Sequence, residues 1–399
     1  MTSTRIIVNR LGDVDLDAWS RFSTDLDARL DPRWFLLNDG GIPQSIYVSA
    51  WEHDNLCAIA PCLVSRDGDT SFVPHRATDV LFSPERLHGS GLGMDQQVLI
   101  TAGQPLRNEL LFPSVAVATP CSAYAPVSDL LCRRGRDLAS FQHLATAIEQ
   151  LAEHVSARLW AILGIPGDSP LLAHAAKSGF LPALIAADTR MEVTWPSFDD
   201  YLGSLGSRRR YSIRWELAQA RERDVALALA PSALAIVDDQ VRVARSQIES
   251  AGDVGDAETE GWYIRETIRR FGADYRTVGA WRNGTLIGFC SFISNGRNHK
   301  ILDCRVDPSM SDRRDYLFPA IMSEVVRTII ALHGGTVTFG ATNYRAKLHR
   351  GCSLQLVWGL YKPVKPSLRS VLADYLSVFN RLQSDCFEPL RAFENPPRY

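Results

Sequence analysis

Asn343, Tyr344, Lys347 and His349 fall within one short stretch, TNYRAKLHRG, directly after an apolar run. An amide, a phenol, an ammonium and an imidazole at this spacing supply hydrogen-bond donors, fixed positive charge and a group that titrates near neutrality. Lys347 lies three residues beyond Tyr344, the step that brings two side chains to one helix face. Asp303, in ILDCRVD, is an acid on an apolar-flanked segment. Buried alone it would be costly, so it either acts on a ligand or pairs with Arg305 or Lys300. A third group is cationic. Arg210, Arg214 and Arg221 of RRRYSIRWELAQARER recur at steps of four and seven and share one side of a helix. Planar, permanently charged forks suit a phosphate or an acidic partner; a solvated helix with Glu–Arg pairs carries the same pattern. Cys304 and Cys352 have no His–acid pattern nearby, which argues against covalent catalysis.

These groups must be held by elements. His299–Pro363 reads as strand, helix, strand, short helix, strand. Thr336–Phe339 and Leu354–Tyr361 are rich in β-branched and aromatic residues. Leu317, Ala320, Ile321, Val325, Thr328, Ile329 and Leu332 recur at three- and four-residue steps and share one helix face. Gly334 and Gly335 end that helix, with His333 in its last turn. The strand–helix–strand implies a crossover, its strands parallel if they pair directly. Upstream, Ala226–Ala230 is a strand, Leu234–Ser250 and Glu258–Phe271 are helices, and Tyr275–Trp281 with Thr285–Ser294 forms a hairpin about Asn283-Gly284. Ser197 caps a short helix and Ser207 the basic one. In the first half, strands are expected at Arg5–Leu11, Ser45–Trp51, Leu56–Ser65, Arg158–Leu163 and Thr189–Trp195. Helices are expected at Leu16–Phe22, Leu138–His154 and Pro170–Lys177. Asp67–Leu130 is irregular and rich in Gly, Pro and Ser; its Gly89-Ser-Gly91-Leu-Gly93 is either a surface loop or a loop approaching a phosphate.

A chain of 399 residues exceeds the usual single-domain range. Asp274–Ser294 parallels Ser45–Ser65, which favours a duplicated mixed α/β plan. The expected divisions are 1–196, 197–365 and a helical extension over 366–399. A net charge of −2 disfavours a DNA-coating surface. No run reaches the roughly 20 apolar residues of a membrane span, and the opening residues lack a secretory pattern. Eight scattered cysteines, without CxxC or metal-ligand spacing, read as reduced thiols of a cytoplasmic protein with no metal site.

Two segments carry a family resemblance. SFDDYLGSLGSRRRYSIRWELAQARER, Ser197–Arg223, is similar to the opening of the FemAB-like group: a short helix, a serine, then a basic pair followed by x-x-Ile-Arg. Tyr316–Gly351, ending in YRAKLHRG, resembles that group's crossover helix, apolar strand and Tyr-x-x-Lys segment with a glycine just beyond. The order of elements is similar to the acetyltransferase (GNAT) fold. The resemblance implies two tandem GNAT-like domains, the second carrying the active site. The chain departs from the family at Pro308-Ser-Met-Ser-Asp-Arg-Arg-Asp315, where acetyl-CoA users carry a glycine-rich pyrophosphate loop. There Asp312 and Asp315 would repel phosphate and Arg313 and Arg314 would attract it.

The implied reaction is amide formation: an amine attacks an acyl carbonyl activated as a thioester or a tRNA ester. On that reading Asp303, Tyr344 and Lys347 are the catalytic candidates: base or amine anchor, proton donor to the leaving group, and oxyanion or phosphate ligand. Arg305, Asn343 and His349 contact substrate, and Arg210, Arg214, Arg313 and Arg314 hold the donor's phosphate or carrier. The expected donor is a phosphopantetheine-type thioester on an acyl carrier protein or CoA, with a small amine acceptor and no permanently bound cofactor. The setting would be bacterial secondary metabolism or envelope biosynthesis. An aminoacyl-tRNA donor is the first alternative, and a non-catalytic recognition module the second.

Overall fold

The computed structural model describes residues 4–38, 45–66, 76–82, 96–110, 112–122, 124–132, 138–251, 257–309 and 314–391. Along the first half run β1 (Thr4–Asn9), α1 (Leu16–Ser23), α2 (Pro32–Asn38), β2 (Ser45–Glu52), β3 (Asn55–Ser65), α3 (Ala77–Phe82), α4 (Gln96–Leu110), β4 (Ser114–Val117), α5 (Ser128–Leu131), α6 (Leu138–His154), β5 (Leu159–Pro166), α7 (Pro170–Lys177) and β6 (Leu181–Val193). There follow α8 (Phe198–Ser204), α9 (Ser207–Glu222), β7 (Val225–Leu229), α10 (Val237–Ala251), α11 (Ala257–Phe271), β8 (Tyr275–Arg282), β9 (Thr285–Asn295) and β10 (Asn298–Val306). The chain continues through α12 (Arg314–Ala331), β11 (Gly335–Thr338), α13 (Tyr344–His349), β12 (Ser353–Pro363) and α14 (Arg369–Arg391). The mixed α/β class and the element order of His299–Pro363 are as the sequence indicates. The region left irregular in sequence contains α3, α4 and β4. Pro105 inside α4 and the mere four residues of β4 mask those elements.

Two compact units result. The first runs to Asp188 and resumes at Leu354; the second is Thr189–Ser353. Read from sequence, the halves meet at Pro196–Ser197 and the tail begins at residue 366; the units instead divide within β6 and again at the start of β12. Strand order in the first unit is β1-β2-β3-β4-β5-β12, antiparallel except for the parallel pair β4–β5. In the second it is β7-β8-β9-β10-β11 followed by the end of β6, again antiparallel except for the parallel pair β10–β11. The plan is the same twice.

Duplication extends to side chains. Val48-Ser-Ala-Trp51 and Val278-Gly-Ala-Trp281 close equivalent hairpins, each with a bulge between Ala and Trp, and each Trp pairs with a leucine, Leu56 or Leu286. In the second hairpin Asn283 and Gly284 both take positive φ, 50° and 76°, as a type I′ turn requires.

The second unit buries α12 on one sheet face. Leu317, Ala320, Ile321, Val325 and Ile329 are fully buried there with Ile213 of α9, Tyr201 of α8 and Phe292 of β9. The cost of ordering this helix is met by that apolar stripe. Ser197 caps α8 by accepting from Asp200 N. Gly206, not Ser207, is the cap of α9. Past the end of α12, His333 sits outside the helix with φ 70° and leads into Gly334 and Gly335.

Candidate active site in the second unit

β10 and β11 pair for only three residues: Asn298 with Thr336, His299 with Val337, and Lys300 with Thr338. Beyond that point the strands part. β10 continues to Val306 along β9, with a bulge between Ile301 and Asp303 that adds local twist. The chain after β11 turns away: Phe339 N donates to Thr189 O at 2.8 Å, and Gly340 takes φ 91°. Past Lys300, the β10 edge that faced β11 has no strand partner among the described residues.

Of the polar residues of α13, Lys347 reaches this parting. Lys347 is buried, and its Nζ donates to Phe339 O at 2.8 Å and Gly340 O at 3.0 Å. Thr189 Oγ1 donates to the same Gly340 carbonyl at 2.7 Å. A Cβ built on Gly340 would lie 3.5 Å from Lys300 Nζ and 3.9 Å from Lys347 Nζ, so two ammonium groups converge on this glycine. Sequence reading offered Lys300 only as a partner for Asp303. Tyr344 is buried at the start of α13, and Asn343 precedes it in the left-handed region with φ 51°, its side chain making no cap hydrogen bond.

Asp303 and Arg305 sit together on β10. Arg305 Nε donates to both carboxylate oxygens of Asp303, at 2.8 and 2.7 Å, and Arg305 Nη2 reaches Glu260 at 3.1 Å. Burial, then the neighbouring Asp303 charge, pushes the Glu260 carboxyl up against the pull of Arg305. Cys304 lies between: burial first, then Cys290 opposite it on β9, pushes its thiol well above the ordinary range, while Lys347 pulls the other way. An inert thiol so placed is no nucleophile. Both Asp303 and Lys347 act electrostatically on this sulfur, which puts β10 and α13 around one locus.

The segment is bolted from behind. Arg350, just past α13, forms a buried ion pair with Glu216 of α9 at 2.6 Å. Tyr201 OH donates to Arg350 O at 2.8 Å, and Arg350 Nη1 donates to Ala346 O at 2.8 Å. Burial holds the Glu216 carboxyl above its usual range, Arg350 and Ser212 pulling it only partly back. No sequence rule pairs residues so far apart.

His349 faces outward. With Arg208, Tyr211, Ser212 and Trp215 of α9 it lines an open pocket of about 390 Å³. Burial, then Arg350, Arg209 and Arg208, hold its imidazole below the usual histidine range, so it is neutral near pH 7. Arg214 is exposed, and Arg210 approaches Gly203 O at 3.5 Å; neither is among the residues lining the pocket, where Arg208 takes their place. Tyr211 and Trp215, at positions i and i+4 amid arginines, were the legible signal for this pocket. Arg313 and the Gly89–Gly93 cluster lie outside the described residues, and Arg314 opens α12.

No protein-family model matches the sequence, and no curated protein matches it. Solved structures do. FemX superposes with a TM-score of 0.60 at 10% identity, over 91% of this chain and 99% of that one. A conserved protein of unknown function from Bacteroides thetaiotaomicron VPI-5482 gives 0.50 at 11% identity, over 90% and 99%. A tandem GNAT protein from the clavulanic acid biosynthesis pathway gives 0.47 at 11% identity, over 91% and 99%. The chain shares its fold with FemX and with the Bacteroides protein.

Proposed function

We propose that the second unit is an amide-forming N-acyltransferase that moves an acyl or aminoacyl group from a phosphopantetheine-type thioester, on CoA or a carrier protein, to an amine. One observation carries this reading: the parting of β10 from β11 after Lys300 and Thr338. Short of Val306, whose N–H donates to Gln247 Oε1, the strand edge that β11 no longer covers can receive the amides of a pantetheine arm as an added strand would be received. The donor carbonyl then falls beside Gly340, where the Lys300 and Lys347 ammonium groups converge. Charge developing on its oxygen is stabilised by cations that need no reorganisation.

The amine nitrogen attacks the carbonyl carbon, the C–N bond forms, and the C–S bond breaks as the tetrahedral species collapses. The nitrogen loses one proton and the leaving thiolate gains one. Asp303, held by Arg305, anchors the incoming amine, and Tyr344, which opens the helix that carries Lys347, is the proton donor to the leaving group in this reading. Proximity supplies most of the acceleration, since a positioned acid or base contributes on the order of 10²–10⁴-fold. An aminoacyl-tRNA ester is the second donor reading, favoured by the basic first turns of α9.

The test is to incubate the purified chain with acyl-CoA, acyl carrier protein or aminoacyl-tRNA and a panel of amines, following amide product by mass spectrometry. Lys347→Met is expected to lower kcat by about 10²–10³-fold, as removal of an oxyanion ligand does. Absence of amide from all three donors would end the proposal.

A further inference from the structure

Two large aromatic side chains stand in solvent one turn apart on α9: Tyr211 is 72% exposed and Trp215 45%. Folding normally covers such rings, and scattered apolar residues on a surface need no explanation. These are not scattered. At positions i and i+4 they share a helix face and line the same pocket, with the Arg208 guanidinium and the His349 imidazole beside them. A pocket of about 390 Å³ falls in the ~300–1,000 Å³ range of small-ligand sites.

The charged side chains of the first two turns of α9 have one sign. Arg208, Arg209, Arg210 and Arg214 occupy the first two turns of α9. Of the helix's two acids, Glu216 pairs with Arg350 and also accepts from Ser212 of the pocket wall at 3.3 Å, and Glu222 accepts from Gln219 at 2.7 Å. Flat π-surfaces beside arginines match one ligand chemistry in particular: a planar heteroaromatic base for the rings and a phosphate for the guanidiniums. The pocket's position adds to this. His349 closes α13, the helix whose Lys347 reaches the parting of β10 and β11, so a ligand in the pocket lies against the element that bears the site.

We infer that Arg208, Tyr211, Trp215 and His349 form a docking site for a nucleoside phosphate, the handle by which the acyl donor is held. This rests on the transferase reading and narrows it. A phosphopantetheinylated carrier has no nucleotide to place here, whereas CoA and the 3′ end of an RNA both end in an adenosine bearing phosphate.

Isothermal titration calorimetry on the full chain tests it, with adenosine 3′,5′-bisphosphate, CoA, a short single-stranded RNA ending in adenosine, pyrophosphate, and phosphatidylglycerol vesicles as probes. Adenosine 3′,5′-bisphosphate is expected to bind and pyrophosphate to bind at least tenfold more weakly. Trp215→Leu should weaken the nucleotide by about 5- to 150-fold, the range for loss of one base–aromatic stack, and Trp215→Phe should recover most of it. Tyr211→Leu, at a more exposed position, repeats the test independently of any packing defect at Trp215. CoA binding tighter than the RNA assigns the handle to a thioester donor; the reverse assigns it to an RNA ester. The inference is overturned if pyrophosphate binds as well as the nucleotide, if both leucine variants bind unchanged, or if only the vesicles bind. Transfer from a simple thioester lacking any nucleotide separates the two claims. Amide formation without nucleotide binding removes the docking site alone, and nucleotide binding without amide formation from any donor removes the transferase reading alone.

Discussion

Arg350 and Glu216 meet at 2.6 Å with their side chains 5% and 8% exposed. At that depth neither charge has water to fall back on, so each depends on the other. The pair ties α9, which carries the basic face, to the segment that presents Lys347. Arg350→Met would strand Glu216 as a buried carboxylate, at a cost of about 3–5 kcal/mol. The pH dependence follows from the sign of the shift. Glu216 already titrates above its unfolded range because of burial, and loss of Arg350 removes the main downward pull. An acid with a raised folded pKa contributes stability below its unfolded pKa and loses it as pH rises through the folded one. The variant's deficit should therefore be smallest in acid and widen above the ordinary carboxylate range, read from denaturant melts at pH 4.5 and pH 8. A deficit independent of pH would mean that Glu216 is not the stranded group.

At the scale of elements, the candidate site depends on how briefly two strands pair. Gly335 opens β11 with φ 136°, and a Cβ there would run into the Arg297 carbonyl, so only glycine lets the strand start against β10. Gly335→Ala is expected to cost about 1–3 kcal/mol in backbone strain alone. Amide exchange should quicken first at His299, Lys300 and Val337, and the β8–β9 hairpin should stay protected. Uniform loss of protection would instead make the pairing part of the unit's global cooperativity. Elements of this kind were legible where local chemistry decides them. Asn283-Gly284 can hardly do anything but turn, Ser197 caps α8, and the stripe from Leu317 to Ile329 leaves one face to bury. β4 gave no such signal, being four residues long, and α4 runs through a proline. The site divides in the same way. Tyr344, Lys347 and His349 are adjacent in sequence and stand out together. Lys300 comes beside Lys347 only through the crossover, and Glu216 and Arg350 join through tertiary packing that no local pattern encodes.

For the whole molecule, the repeated Val-x-Ala-Trp hairpins and the twofold strand plan describe two copies of one architecture, but neither copy is closed by its own half of the chain. β12 follows the second unit in sequence and lies in the first; β6 follows β5 and ends in the second. The helix after β12 is therefore not an appendage. Leu372, Tyr375, Leu376 and Phe379 of α14 are buried in one core with Leu63, Ala116, Ala161, Ile185 and Val357, and Tyr375 OH donates to Leu81 O at 2.6 Å. A side chain as large as Phe379, wholly buried, leaves a cavity on truncation, so Phe379→Ala should cost about 3–5 kcal/mol. The loss belongs to the first unit. Hydrogen exchange should show β4 and β5 deprotected along with α14, although Ser114 lies more than two hundred residues from the substitution. Deprotection confined to α14 would mean that the C-terminal helix is an independent extension after all. The expected pattern instead makes the end of the chain a condition for folding its beginning, so a C-terminal truncation meant to isolate the candidate site would leave the first unit without a strand and without its covering helix.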